Sequence, residues 1–248
     1  MTSKKDSVND TVSAYWDARS QGYALQVDRQ EETDEFPNYL TYLNDIPVGG
    51  QVLDVGCGPG FFATELAKNG FCVTAVDMSR GMLEQTRRRA QIKGVEVGTL
   101  LADAKQLPFA DETFDLVCCR DLVWNLPDPQ SAYREWLRVL KPKAKLVVFD
   151  GNYYRYLFDE RYAKVHDAWE KSSGHVLLGV KTQTIDDLAK SLPLGKEDRP
   201  AWDIATFQTL GVEKVQAHTL STYENPEDAK PLIAKFVVIV QKGSKTTL

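Results

Sequence analysis

Between residues 50 and 150, short apolar runs alternate with amphipathic stretches, and this rhythm predicts repeated strand–helix units. Gln51–Val55 is a β-rich run that ends in glycines. Residues 61–69 have helical spacing, and Asn69-Gly70 closes them as helices commonly close. Residues 71–76 form the next strand, which ends at Asp77, and Ser79 is an N-cap for a helix over 80–91. Further strands are expected over 95–100, just before Asp103, and over 114–119. A helix runs from Pro129 to Leu140 and is stopped by Pro142, and residues 145–149 form a fifth strand. Helices of about ten residues between strands imply βαβ units and a parallel sheet. The near-continuous apolar strands at 71–76 and 146–149 fit burial on both faces.

The flanks differ in character. Residues 1–48 are polar, dotted with aromatics at helical spacing, and end at Pro47. Residues 151–205 open with an aromatic-rich segment and form an insert. Residues 210–220 and 232–240 are strand-like and are separated by Asn225-Pro226-Glu227-Asp228, which predicts a terminal antiparallel pair at the sheet edge. The whole, 1–248, reads as one domain: a helical cap (1–48), a core (50–150), an insert (151–205) and terminal strands (206–248).

Composition narrows the class. The chain has 248 residues, 43% hydrophobic and 26% charged, with 30 Lys+Arg against 35 Asp+Glu and a net charge of −5. These values argue against a disordered chain, a collagen-like repeat and a coiled coil, and the length suits one large α/β domain. Non-specific nucleic-acid binding needs clustered Lys/Arg, so no nucleic-acid partner is expected. The polar start, Met1-Thr2-Ser3-Lys4-Lys5-Asp6, leads into no apolar core of a secretory signal. No stretch approaches the ~18–20 apolar residues of a membrane helix. Cys57, Cys72, Cys118 and Cys119 make no CxxC and have no histidine at zinc-finger spacing. They read as buried reduced thiols of a cytoplasmic protein, with no metal.

The segment richest in chemistry is Val52-Leu53-Asp54-Val55-Gly56-Cys57-Gly58-Pro59-Gly60. A strand runs into glycines at alternate positions, and a helix with unpaired N–H groups follows. In open α/β sheets, ligands bind outside the carboxyl ends of the strands. A dinucleotide site has G-x-G-x-x-G/A, whereas this run is G-x-G-x-G with Phe61 where the third small residue would fall. Asp54 would repel a pyrophosphate and suits a ligand with an ammonium or sulfonium group. Asp77, at the end of the second strand, can accept bonds from both ribose hydroxyls. Asp103, past the third strand, is placed to meet an adenine amino group. Acids also follow strands as turn formers or N-caps, which is the competing reading for each one alone.

Asp54-Val55-Gly56-Cys57-Gly58-Pro59-Gly60, Asp77-Met78-Ser79, Ala102-Asp103-Ala104, Pro108-Phe109, Phe114-Asp115-Leu116-Val117 and Arg138-Val139-Leu140-Lys141-Pro142 together resemble the class I S-adenosylmethionine-dependent methyltransferases. The nearest likeness is to the methyltransferase-11, ubiquinone/menaquinone-biosynthesis-like group, over roughly residues 50–150. The resemblance implies an α/β fold. Its sheet is Rossmann-like, doubly wound and seven-stranded, mostly parallel with an antiparallel terminal strand. A helical lid comes from the N-terminus and from the insert after strand 5. The resemblance also implies S-adenosyl-L-methionine as cofactor. It places the methionine moiety against Asp54, Gly56 and Gly58, with Cys57 and Gly60 in the same bend. It puts the ribose on Asp77, Met78 on the adenine, Asp103 at the adenine amino group with Ala104 beside it, and the backbone of Arg120 at the methionyl amino group. One departure is Lys141-Pro142-Lys143-Ala144, where the family commonly has Lys-Pro-Gly-Gly; a changed turn is expected there.

A sulfonium activates its own methyl group, so rate comes mainly from holding a nucleophile in line, and a base is needed only for a weakly acidic acceptor. Candidate catalytic residues are His166, His175 and Asp121, each with a plain surface or turn-capping reading beside it; His218 reads as structural or surface. Candidate pocket aromatics are Tyr15, Trp16, Tyr23, Trp124, Tyr153 and Tyr154, with helix packing as the competing reading, as it is for Tyr162 and Trp169. The leading expectation is methyl transfer to a small molecule by in-line displacement. RNA or protein methylation and a dinucleotide-dependent oxidoreductase are the alternatives. No Asn-Pro-Pro-Tyr-like tetrad follows the fourth strand, where the chain reads Arg120-Asp121-Leu122-Val123.

Overall fold

A computed structural model describes residues 4–31, 39–43, 46–172, 176–224 and 231–244. Its centre is a seven-stranded sheet of β1 (Gln51–Val55), β2 (Cys72–Asp77), β3 (Gly98–Leu101), β4 (Phe114–Arg120), β5 (Leu140–Gly151), β6 (Lys214–Tyr223) and β7 (Leu232–Gln241). The order across the sheet is β3-β2-β1-β4-β5-β7-β6. The first five strands pair in parallel, and β7 runs antiparallel to both β5 and β6. The expected seven-stranded, mostly parallel sheet is therefore present.

Seven helices flank it in chain order among the described residues: α1 (Lys4–Glu31), α2 (Phe61–Lys68), α3 (Arg80–Lys93), α4 (Pro129–Val139), α5 (Glu160–Ser172), α6 (Thr182–Ser191) and α7 (Ala201–Thr209). The last three come from the region after β5, and position 205 falls within α7.

Alternation along each strand sorts side chains onto two faces. Leu53, Val55, Val117, Cys119 and Val148 join one core with Tyr133, Trp136 and Leu137 of α4 and Phe207 of α7. Val52, Leu116, Cys118, Val147 and Phe149 join the other with Phe61, Phe62 and Leu66 of α2. Burial on both faces explains why these strands lack polar alternation. Ser79 caps α3 by accepting from the Met82 amide at 3.0 Å, as its residue type predicts.

Several boundaries differ from the sequence reading. β3 begins at Gly98, not Val95, because its parallel pairing with β2 starts at Thr74–Gly98. α4 ends at Val139 and the chain passes directly into β5 at Leu140, so Pro142 lies within the strand and is not the stop. The β4–β5 register shifts between Phe114 and Leu116, which accommodates the Lys141–Ala144 stretch. Lys143 takes φ 66° there, a left-handed position costing a non-glycine residue about 1 kcal/mol. β6 starts at Lys214 and not at Leu210, because Leu210 caps α7 and Gly211 turns the chain at φ 80°. Cys72 is exposed, unlike the buried Cys57, Cys118 and Cys119, and all four are free thiols. The Asn225–Asp228 stretch lies outside the described residues. Among the described residues, no helix is long and apolar enough to cross a membrane.

Candidate active site

The carboxyl ends of β1, β2, β3 and β4 converge under α1. β1 leads into a bend in which Gly56, Gly58 and Gly60 take φ 62°, 54° and 85°. At Gly56 a side chain is also sterically barred, since a Cβ would stand 2.6 Å from Leu122 Cδ1. Around this bend lies a cavity of about 740 Å³, partly open to solvent. Gly56 and Gly58 form its floor; Asp77 and Met78, Asp103 and Ala104, and Arg120, Asp121 and Leu122 form its sides. Asn9, Val12, Trp16 and Tyr23 of α1 form its roof.

The three acids found by sequence are brought to one place but differ in environment. Asp54 is 2% exposed, and its Oδ2 has no hydrogen-bond partner among the described residues. Burial pushes its pKa up to about 7, partly offset by the Ala63 amide and the Arg120 guanidinium. Asp77 accepts from the Gly58 amide at 2.9 Å and the Ser79 amide at 2.9 Å. Burial pushes its pKa up to about 6 against those two donors. Asp103 accepts from the Lys105 amide at 2.9 Å and from Asn9 Nδ2 at 3.3 Å. It thus also acts as the turn former of the competing reading. Trp136 of α4 steadies this corner by donating Nε1–H to the Ala104 carbonyl at 2.9 Å.

Sequence reading missed how α1 is fastened over the cavity. Asn9, Ser13 and Asp17 recur every four residues and so share one helix face. Ser13 Oγ donates to the Met78 carbonyl at 3.1 Å, and Asp17 accepts from Ser79 Oγ and from the Gly81 amide. Further along α1, Asp28 and Glu31 accept from Arg89 of α3 at 2.6 and 2.7 Å. The same guanidinium donates to the Pro59 carbonyl at 2.9 Å, so one arginine joins α1, α3 and the glycine bend. The four-residue polar repeat was the available signal.

The aromatic candidates separate. Trp16 packs edge-on to Tyr23 (5.5 Å between centroids) and Trp124 (6.4 Å). Trp16 and Tyr23 line the cavity. Trp124 stacks on Tyr154 at 4.7 Å, and Trp124, Tyr153 and Tyr154 line a smaller adjoining cavity of about 270 Å³ under the insert. Tyr15 is buried behind Trp16, 5.2 Å away, and lines neither. Tyr162 is buried and donates to the Ile233 carbonyl.

Of the catalytic candidates, Asp121 stands at the cavity wall with φ 56°. It accepts a hydrogen bond from the Tyr153 hydroxyl, and its carbonyl accepts from Trp124 Nε1 at 2.9 Å. Burial and the Asp121 charge push the Tyr153 phenol well above its ordinary range. His166 is not a wall residue; it stacks on Tyr156 at 3.5 Å. His218 is exposed on β6 beside Tyr42. His175 and the Trp169 side chain lie outside the described residues.

The Arg120 side chain was not anticipated. Its guanidinium lies over the Phe61 ring, 4.3 Å from the centroid. The phenylalanine in place of a third small residue therefore carries a cation above the bend. Burial opposes the guanidinium's charge, but Asp121 and neighbouring tyrosines outweigh this and raise its pKa.

Comparison with known proteins agrees with this geometry. A methyltransferase-domain family matches residues 53–148. Methyltransferase GfsG of Streptomyces halstedii is 41% identical over 187 residues, covering 69% of this chain and 67% of that protein. A ubiquinone biosynthesis O-methyltransferase of Coxiella burnetii is 33% identical over 112 residues, 44% of this chain. The chain spans about half the length of that relative, 48%. A solved structure of an S-adenosylmethionine-dependent methyltransferase from Aquifex aeolicus superposes with a TM-score of 0.56 at 19% identity, over 88% of this chain and 97% of that one. At that identity the likeness is one of fold.

Proposed function

This chain belongs to the class I S-adenosylmethionine-dependent methyltransferases, and we propose that it methylates a small organic molecule by in-line displacement in the cavity beneath α1. S-adenosylmethionine is the cofactor, and when bound it supplies an already electrophilic methyl group on a sulfonium. The residues fit such a ligand: the orphaned Asp54 oxygen calls for a cation, and the bend at Gly56, Cys57 and Gly58 leaves backbone exposed to a ligand, whereas Gly60 is packed against Thr86 and lines neither cavity. In this reading Asp54 holds the ammonium end and Asp77 the ribose hydroxyls. Met78 lies against the adenine, and Asp103 and Ala104 meet its edge. Residues 1–48, 50–150, 151–205 and 206–248 then act together as one domain.

Catalysis rests on orientation and exclusion of water. Fixing two reactants in near-attack geometry is worth about 7–11 kcal/mol. Trp16, Tyr23 and Trp124 shape the acceptor side and present ring faces suited to a cationic sulfur. For a hydroxyl acceptor, Asp121 takes the proton, with the Tyr153 hydroxyl holding the carboxylate in place. An amine, thiolate or enolate acceptor needs no base.

The observation that carries the small-molecule reading is the roof. Asn9, Ser13 and Asp17 bring α1 down onto the strand ends, so the site is a cavity roofed by Trp16 and Tyr23 and not an open basic groove. The acidic balance and the relative named for ubiquinone biosynthesis support it. The buried free thiols Cys57, Cys118 and Cys119 favour a reducing, cytoplasmic setting. The test is transfer of a labelled methyl group by the full chain, offered hydroxylated and quinone-type small molecules beside total RNA and protein of a cell extract. Label in the small-molecule fraction is expected; label in macromolecules overturns the reading.

A further inference from the structure

A small side chamber, open to solvent, lies beside the glycine bend, lined by Tyr23, Asp54, Gly56, Cys57, Phe61 and Arg120 among others. Two opposite charges enter it, and among the described residues they form no ion pair with each other. Asp54 is an acceptor whose Oδ2 lacks a donor.

Arg120 is a donor set held by weak partners. Its Nη1 and Nη2 both reach Gln30 Oε1 at 3.4 Å, and its Nε stands 3.7 Å from Asp121 Oδ2. Charge-assisted bonds to guanidinium are ordinarily about 2.7–2.9 Å. The firm contact is with the Phe61 face, which fixes the plane of the fork without using its N–H groups. The Tyr23 hydroxyl also bonds to this guanidinium. An arginine oriented by a ring and bonded to a neutral phenol and a distant amide oxygen, with no carboxylate among the described residues at charge-assisted bonding distance, is complementary, beside a buried orphan carboxylate, to a ligand group that carries both charges.

We propose that the Arg120 side chain anchors the carboxylate of an α-amino-acid head group whose ammonium is held by Asp54. The chamber thus reads the free amino-acid end of the bound ligand. This rests on the cofactor assignment above and adds to it a side chain that the family resemblance engages only through its backbone. A ligand with a single charge leaves one of the two groups unpaired, and a phosphate meets Asp54 as a like charge. An unpaired buried charge is expensive, so discrimination between ligands follows.

The experiment is calorimetric titration of the full chain, as wild type, Arg120→Met and Arg120→Lys, with S-adenosylmethionine and with its decarboxylated analogue. The analogue keeps the sulfonium and the ammonium. Wild type is expected to bind S-adenosylmethionine about ten- to a hundredfold more tightly than the analogue. Arg120→Met loses that margin and binds the analogue within about threefold of wild type, and Arg120→Lys restores part of the margin. Wild type that binds both ligands equally overturns the proposal and leaves the cofactor assignment standing. So does an Arg120→Met protein that weakens both equally while Arg120→Lys restores both. Wild type that binds neither overturns the cofactor assignment and this proposal with it.

Discussion

Two carboxylates in this protein, Asp54 and Asp150, are each 2% exposed and each stand at the carboxyl end of a parallel strand. Asp150 is fully engaged: it accepts from the Trp124 amide at 3.0 Å, the Gly151 amide at 2.9 Å and Arg199 Nη1 at 2.8 Å. Arg199, 1% exposed, turns its other donors to Asp203 at 2.9 and 2.7 Å, and Asp203 also accepts from the Tyr133 hydroxyl. Burial pushes Asp150 up to about 6, with Arg199 as the main opposing influence. Asp54, equally buried, has an oxygen with no donor and rises to about 7. The first arrangement completes itself and joins the insert to the sheet. The second is left incomplete by the chain, which is what separates a binding group from a structural one.

The contrast can be broken most sharply at Arg199. Arg199→Met leaves Asp150 and Asp203 buried without a counter-charge, and a loss of about 3–5 kcal/mol in urea-unfolding free energy is expected. A loss under 1 kcal/mol would mean that the cluster is not structural.

Asp54→Asn should behave in the opposite way. The Asp54 carboxyl is raised from 3.8 to about 7, so between those pH values the folded protein binds more protons than the unfolded chain. Its cost therefore grows as pH rises through that window and is complete above it. The ligand-free variant should be more stable than wild type at pH 8 by up to ~4 kcal/mol, with the gain vanishing near pH 4. Its affinity for S-adenosylmethionine should fall about a hundredfold. A variant that loses both stability and binding would place Asp54 with Asp150.

A smaller effect lies in pH. Wild-type affinity for S-adenosylmethionine should rise about a hundredfold per pH unit below about 6, where Asp54 and Asp77 are both protonated, about tenfold per unit between about 6 and 7, and flatten above that. Asp54→Asn should keep only the inflection of Asp77, near 6. Calorimetry at five or so pH values separates the two curves. Smallest of all, Ser79→Ala removes the cap of α3 and the Ser79 Oγ bond to Asp17, and should cost about 1–2 kcal/mol of unfolding free energy, since Asp17 keeps the Gly81 amide.

The parts of the fold that were legible share a cause. β1 and the start of α3 follow from local signals: an apolar run ending in glycine and a serine cap. The ends of β3 and β6 were not local. One is set by pairing with β2, the other by the turn that closes α7. At the site, Asp54, Asp77 and Asp103 were found because each ends or follows a strand. The Asp150–Arg199–Asp203–Tyr133 cluster was not found, because its members are 49 and 70 residues apart in the key pairs. The Arg120 side chain could have been placed: strand alternation puts it on the face of Leu116 and Cys118, toward α2 and its Phe61.

The position of β7 has a consequence for assembly. It follows β6 in the chain yet separates β6 from β5 in the sheet. β6 therefore has nowhere to dock until β7 has been synthesised; it joins the sheet together with β7 as a hairpin or after β7 has paired with β5. Until then β5 presents an open edge with Val147, Val148 and Phe149 on it. During synthesis the nascent chain is thus most prone to sticking after its ligand-binding half is complete and before its last described strand emerges.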